Sequence, residues 1–287
     1  MLTKPTAHNP PLGDGGSNSS AAAALYFTAA LVVHCETFYC IHSSSSSMVA
    51  SEDRTPGSSS LPAIDRSKPV VAQVGSLGEA YWTWVHEPEP GQPRFFGSGL
   101  VESCSKTPWW VVPLLWLPLF TYCLAASVAW HATPPAAAAS LALLGVLGWQ
   151  LLEYLIHRFV FHAELNSRLG ITFHFLFHGC HHKYPMDKLR LVFPPVPAAV
   201  VVAAVYGSLV ASLPYGAALA TFAGMGYGYV AYDCVHYAVH HVPSSALPGP
   251  LLRDLKRRHM NHHYRDHSKG YGISSVLFDI LLCTQSA

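Results

Sequence analysis

HGCHH at residues 178–182 and HMNHH at 259–263 repeat one spacing, with HRFVFH (157–162) and HYAVH (236–240) beside them. The ten histidines are His157, His162, His178, His181, His182, His236, His240, His259, His262 and His263. At about 100° per residue, positions i, i+3 and i+4 of an α-helix lie within roughly 100° of one another. Each HxxHH therefore puts three imidazoles on one helix face, and HxxxH puts two. HRFVFH is the exception. Its i, i+5 pair falls about 140° apart on an α-helix, so one partner lies past a helix end or at a local π-bulge. A single histidine on an apolar face is usually a hydrogen-bonded core residue. Ten facing inward without a metal would leave many buried acceptors unpaired, at about 1–3 kcal/mol each. Imidazole is the commonest metal ligand, and ten donors exceed the roughly four to six of one ion. The spacing predicts two metal ions held close together.

The 287 residues are 51% hydrophobic and only 11% charged, against roughly a quarter charged in soluble domains. This is the composition of a membrane protein. A net charge of +1 implies neither a nucleic-acid partner nor a groove for acidic substrates. The seven cysteines (Cys35, Cys40, Cys104, Cys123, Cys180, Cys234, Cys283) show no CxxC and read as thiols rather than disulfides. Cys180 lies inside HGCHH, where three histidines on the same turn already fill the face.

Residues 1–68 are rich in Ser, Ala and Pro and read as a disordered tail. Its apolar stretch AAAALYFTAALVV (21–33) is too short to span a bilayer and lacks the basic flank of a signal peptide. Met48 would make a start of its own, so residues 1–47 need not belong to the mature protein. Residues 69–107 read as an interfacial segment lying on the membrane, or as a plain linker. Four apolar runs follow in a membrane domain at 108–283: Trp109–Trp130, Ala136–Ile156, Val196–Leu213 and Gly216–Val235. The turns between the members of each pair (131–135 and 214–215) hold no Lys or Arg. All the basic residues beyond residue 108 fall in the two His-bearing segments, which puts those segments and both termini on the cytosolic side. The fold predicted is all-α: a multi-pass protein of four transmembrane helices in two hairpins, with a cytosolic His-rich di-metal cap.

Imidazole suits Zn, Cu, Fe and Ni, so spacing alone does not choose the metal. A metal pair at a membrane face points to oxidation of an unactivated C–H bond with O2, which needs a redox metal and favours iron over zinc. Asp233, beside Tyr232 at the end of the fourth run, is a candidate to orient a ligand N–H; capping or packing is the alternative. His174, His241 and His267 lie near the clusters but off the spacing, as supporting or surface groups.

HRFVFH, HGCHHKYPMDKLRLVFPP (178–195), YDCVHYAVHH (232–241) and HMNHHYRDHSKGYGIS (259–274) resemble the fatty acid hydroxylase superfamily. The likeness is to the plant fatty acid 2-hydroxylases in particular, whose beginning VAQVGSLGEAYWTWVHEP (71–88) resembles. The resemblance implies a di-metal, O2-dependent enzyme of the endoplasmic reticulum. It would hydroxylate carbon 2 of the long or very long N-acyl chain of (dihydro)ceramides, or of a related fatty acyl substrate, in sphingolipid biosynthesis. Iron would work in the enzyme, isolated protein could carry zinc instead, and electrons would come from cytochrome b5. All ten histidines match the superfamily's ligand set position by position. No HPGG haem motif occurs, so no haem is expected in this chain and the cytochrome b5 would be a separate protein. Residues 1–47 match nothing in the superfamily, and TQSA offers no dilysine signal. A sterol or other lipid hydroxylase or desaturase of the same superfamily is the alternative. A His-rich metal transporter is less favoured, because the interiors of the apolar runs are almost free of ionisable groups.

Overall fold

The computed structural model describes residues 64–286. The readings of 1–47, and of the expected tail up to residue 63, lie outside the described residues. The elements are helices and two π turns, with no strand among the described residues: α1 Val71–Val74, α2 Ala80–Val85, α3 Gly99–Cys104, α4 Val111–Ala129, α5 Pro135–Ile156, a π turn His157–Phe161, α6 Arg168–His174, a second π turn Phe175–Gly179, α7 Cys180–Lys183, α8 Pro195–Ser212, α9 Tyr215–His241, α10 Gly249–Tyr264 and α11 Leu277–Leu281.

Among the described residues, three stretches are long and apolar enough to cross a membrane: Val111–Ala129, Pro135–Phe161 and Pro195–Ser212. They match the first three expected spans. The expected fourth is a helix as well, but it does not join that set. α9 is 27 residues, or about 40 Å, and it is the hub on which α4, α5 and α8 pack. α8 buries only Ala198, whereas α9 buries residues along its whole length. Its composition follows from that position. A helix enclosed by other helices needs small residues for close approach more than it needs apolar bulk. A Cβ on Gly224 would lie 1.9 Å from the carbonyl oxygen of Ala142, and one on Gly228 2.7 Å from Cβ of Trp149. On α5, a Cβ on Gly145 would lie 2.2 Å from the carbonyl oxygen of Thr221.

Prolines at the first helical position start α5 and α8, where the missing N–H is not needed. The two hairpin turns lie at one end of the bundle, for Ser127 Oγ donates to the carbonyl of Gly216 at 2.7 Å.

Residues 69–107, expected as an interfacial segment or a linker, pack as a cap on the helices. Val70, Val74, Leu77, Tyr81, Val85 and Phe95 are buried against Ile171, Phe175, Cys180 and Tyr184. Residues 65–68 make a turn closed by the Gln73 side chain, whose Oε1 accepts from the Asp65 amide at 2.9 Å. Lys183 fastens the cap to the histidine turn. It is fully buried, its Nζ donates to the Glu87 carbonyl at 2.7 Å and to Glu89 Oε1 at 2.9 Å, and it sits 4.7 Å from the Trp84 ring centre. Arg190 makes a second fastening, paired with Glu102 and with Asp187 and stacked 4.0 Å over Phe95.

Candidate metal centre

The ten histidines converge at one end of the bundle as two groups of five. His157, His162, His178, His182 and His262 form the first; His181, His236, His240, His259 and His263 form the second. Within each group the donor atoms all lie within 4.8 Å of one another. The local folding accounts for this. α5 runs directly into the π turn His157–Phe161, and His162 closes it, with its N–H donating to the His157 carbonyl five residues back at 3.2 Å. The wider turn brings together two rings that an α-helix would splay. Each HxxHH turn serves both groups. Its i and i+4 members enter one group and its i+3 member the other: His178 and His182 against His181, His259 and His263 against His262. Positions i and i+4 are about 40° apart, whereas i+3 and i+4 diverge by about 100°.

The donor spacing fits metal ions. In the first group Nε2 of His178 lies 3.1 Å from that of His157, 3.2 Å from that of His162 and 2.9 Å from that of His182. In the second, Nε2 of His259 lies 3.1, 2.8 and 3.0 Å from those of His236, His240 and His263. Ligands at right angles about one ion, with metal–nitrogen bonds of about 2.1 Å, stand about 3.0 Å apart; a tetrahedral shell would spread them further. Each group could therefore hold one ion, with five nitrogens in an octahedron-like shell and one position left over. The groups adjoin, the rings of His182 and His263 stacking at 4.3 Å. Burial is the main cause that pushes His178, His181, His182, His259, His262 and His263 well below the ordinary imidazole value, so they are neutral donors at pH 7.

Two of the donors have their tautomer fixed. His157 Nδ1–H donates to the Tyr271 carbonyl at 2.6 Å, and His262 Nδ1–H donates to the Lys269 carbonyl at 2.7 Å. A carbonyl only accepts, so the proton sits on Nδ1 and the Nε2 lone pair points inward.

Asp233, the candidate orienter, is buried and lines a cavity beside Tyr229 and Tyr232, and its Oδ2 has no hydrogen-bond partner among the described residues. The groups seen to take a ligand N–H are the main-chain carbonyls of Tyr271 and Lys269. Of the off-pattern histidines, His174 Nδ1 bonds the Tyr81 hydroxyl at 2.6 Å, His241 packs on Tyr237, and His267 stacks on His86 at 3.8 Å. Cys180 stands outside both groups, its Sγ directed to the Leu176 carbonyl.

The cavity is the other part of the site. It has a volume of about 770 Å³ and reaches His178 of the first group and His181 and His236 of the second. Apolar residues of α5 and α8, among them Trp149, Val201 and Val202, line it toward the bundle, and Ser105 and Arg190 line it toward the cap. Its lining on α5 runs from Trp149 to Ile156, so the cavity extends about 10 Å along that helix. Glu153 also faces it and was not anticipated. The signal was present: Glu153 is the one acidic residue in the run Ala136–Ile156, and an ionisable group in such a run marks function by default.

Comparison with known proteins gives one consistent result. The family model described as fatty acid hydroxylase matches residues 142–284, which contain all ten histidines. Dihydroceramide fatty acyl 2-hydroxylase FAH1 of Arabidopsis thaliana is 43% identical over 223 residues, covering 77% of this chain and 92% of that one. Fatty acid 2-hydroxylase of Rattus norvegicus is 43% identical over 243 residues, 77% of this chain and 64% of that one. The solved structure of full-length scs7p, in which only the hydroxylase domain is visible, is similar with a TM-score of 0.73 and 36% identity, across 78% of this chain and 86% of that chain. With this identity over nine-tenths of a relative, and a bundle that gathers ten histidines beside an apolar cavity, the chain belongs to the fatty acid hydroxylase family of enzymes.

Proposed function

We propose that the protein inserts a hydroxyl at carbon 2 of the long N-acyl chain of a (dihydro)ceramide, using O2. The balance is R–H + O2 + 2 electrons + 2 protons giving R–OH + H2O. The observation that carries this is the cavity that touches both histidine groups at once. It would hold an acyl chain with one of its first carbons against the ten imidazoles. Two iron ions bound there would supply the O2 chemistry, and the right-angled five-nitrogen spacing favours an octahedral redox metal over tetrahedral zinc. The ten histidines are the ligands on this reading, and a separate cytochrome b5 is the electron donor.

The chain's own residues would select and hold the substrate. An acyl tail leaves lipid that is as apolar as the cavity, so burial of the tail discriminates little. The polar residues of the cavity wall, Asp233 and Tyr232 beside His236 and Ser105 toward the cap, are then the ones that meet the amide end. α9 is proposed as a fourth membrane crossing within a domain at 108–283, with the histidine end and the 69–107 cap on the cytosolic face of the endoplasmic reticulum. The names of the Arabidopsis and rat relatives support the reaction, and α9's length supports the crossing.

Expression in cells lacking their own acyl 2-hydroxylase, with a cytochrome b5 present, tests the reading. Mass spectrometry should find 2-hydroxy-acyl ceramides. Folded protein that yields none of them, or yields an oxidised sterol instead, would refute it. Cavity length makes a further prediction. Val202→Trp narrows the apolar part, so the 2-hydroxy products should shift toward shorter acyl chains at similar total turnover. An unchanged chain-length distribution would place the acyl tail elsewhere.

A further inference from the structure

The two histidine groups differ in what stands behind the rings. In the first, the 269–274 loop supplies the carbonyls that take the Nδ1–H of His157 and His262. In the second, Nδ1 of His236, His240, His259 and His263 is buried without a hydrogen-bond partner among the described residues, as in the first is Nδ1 of His182 alone. The loop is itself held from two sides by buried carboxylates. Glu153 Oε1 on α5 accepts from the amides of Ile273 and Ser274 at 2.7 and 2.9 Å, and its Oε2 accepts from the Ser274 hydroxyl. Asp279 on α11 accepts from the amides of Tyr271 and Gly272 at 3.0 and 2.8 Å and from the Thr284 hydroxyl at 2.8 Å. Gly270 has a φ of +75° and Gly272 has no room for a Cβ, which would lie 2.1 Å from the Ser275 carbonyl oxygen. The path of the loop is thus narrowly set, and it places the carbonyls of Lys269 and Tyr271 at the two rings.

We propose that Glu153 and Asp279 are positioning residues that strap the 269–274 loop against the first histidine group, so that this group holds its metal more tightly than the second. The inference rests on the two-metal reading above. An acceptor on the distal N–H raises the basicity of an imidazole ligand and stops it rotating away, and loss of such a contact costs roughly 10–100-fold in metal affinity. The first group has two rings so held. Neither carboxylate needs to touch metal or substrate for this.

The test is metal release from full-length protein in detergent, loaded with two equivalents of cobalt(II) and challenged with excess EDTA. Metal content and visible absorption are followed together. Wild type should lose one equivalent quickly and the other roughly 10–100-fold more slowly. Asp279→Asn, which turns an amide toward the Gly272 N–H, should bring the slow equivalent close to the fast rate, as should Glu153→Gln. His240→Ala should lose the fast equivalent and keep the slow one. Single-phase release of both equivalents from wild type overturns the proposal. A slow phase unchanged in Glu153→Gln and Asp279→Asn also overturns it, and if one of these does not accumulate folded, the other decides. Protein that takes up no cobalt would instead refute the two-metal reading, so the two failures are distinguishable.

Discussion

His262→Ala should reduce 2-hydroxy product to background while the protein still accumulates in membranes. Several structural facts converge on this ring. It is fully buried, it belongs to the first histidine group, and its Nδ1–H is bonded to the Lys269 carbonyl. Alanine removes one of five donors and also strands that carbonyl. The expected loss exceeds the roughly 100-fold upper range for losing a mere supporting contact, and bound metal should fall from two equivalents toward one. The bundle contacts of α4, α5, α8 and α9 do not involve residue 262, so insertion should survive. Turnover assayed by mass spectrometry beside metal analysis checks both halves. Substantial activity in the variant would count against the two-metal assignment.

Gly224→Val should have an effect of similar size on amount of protein rather than on turnover per molecule. The closest approach in the bundle is here, where a Cβ would meet the Ala142 carbonyl oxygen at 1.9 Å. That neighbour is backbone, so the helices must separate. Overpacking a close-packed interior typically costs about 1–3 kcal/mol, and a rigid helix seam lies at or above the top of that range. Separation of α9 from α5 would also move His236 and His240 away from the second group. The expected outcome is a large fall in folded protein recovered in detergent and a lower melting temperature. Gly207, on the outer helix α8, supplies the control. A Cβ there would meet nothing within 4 Å, so Gly207→Val should be tolerated.

Much of the candidate site, the gathering of ten histidines at one end of the bundle, could be read in the sequence because helical geometry is regular. HxxHH and HxxxH mark shared faces, and the misfit of HxxxxH already pointed to the irregular turn found at His157–Phe161. What could not be read was the division of each HxxHH between two groups, since all three rings share a face and only the packing of α7 against α10 assigns them. The loop carbonyls of Lys269 and Tyr271 had no side-chain signature at all. Hydropathy marked the three helices that are long and apolar enough to cross a membrane, but it does not tell that the fourth run lies in α9, whose lateral surroundings are protein. Nor does it separate the roles open to the aromatic segment YWTWV (81–85). Tyr and Trp suit a membrane interface, but they suit a cap over a π turn equally well, and Tyr81 is used there to reach His174.

The interleaving of the two groups has a consequence for biogenesis. Every group draws on both the 178–182 turn and α10, so neither is complete until the chain has been made past His263. At about 5–20 residues per second, roughly 5–20 s separate the synthesis of His157 from that of His263. During that interval the nascent bundle displays imidazoles in partial sets, each able to capture a stray ion in the wrong geometry. A message broken before codon 259 would yield a chain with α4, α5, α8 and α9 intact yet with neither set finished. On the two-metal reading, loading is therefore the closing act of this protein's assembly, and the stretch from His259 onward is where a cell would gain most by inspecting it.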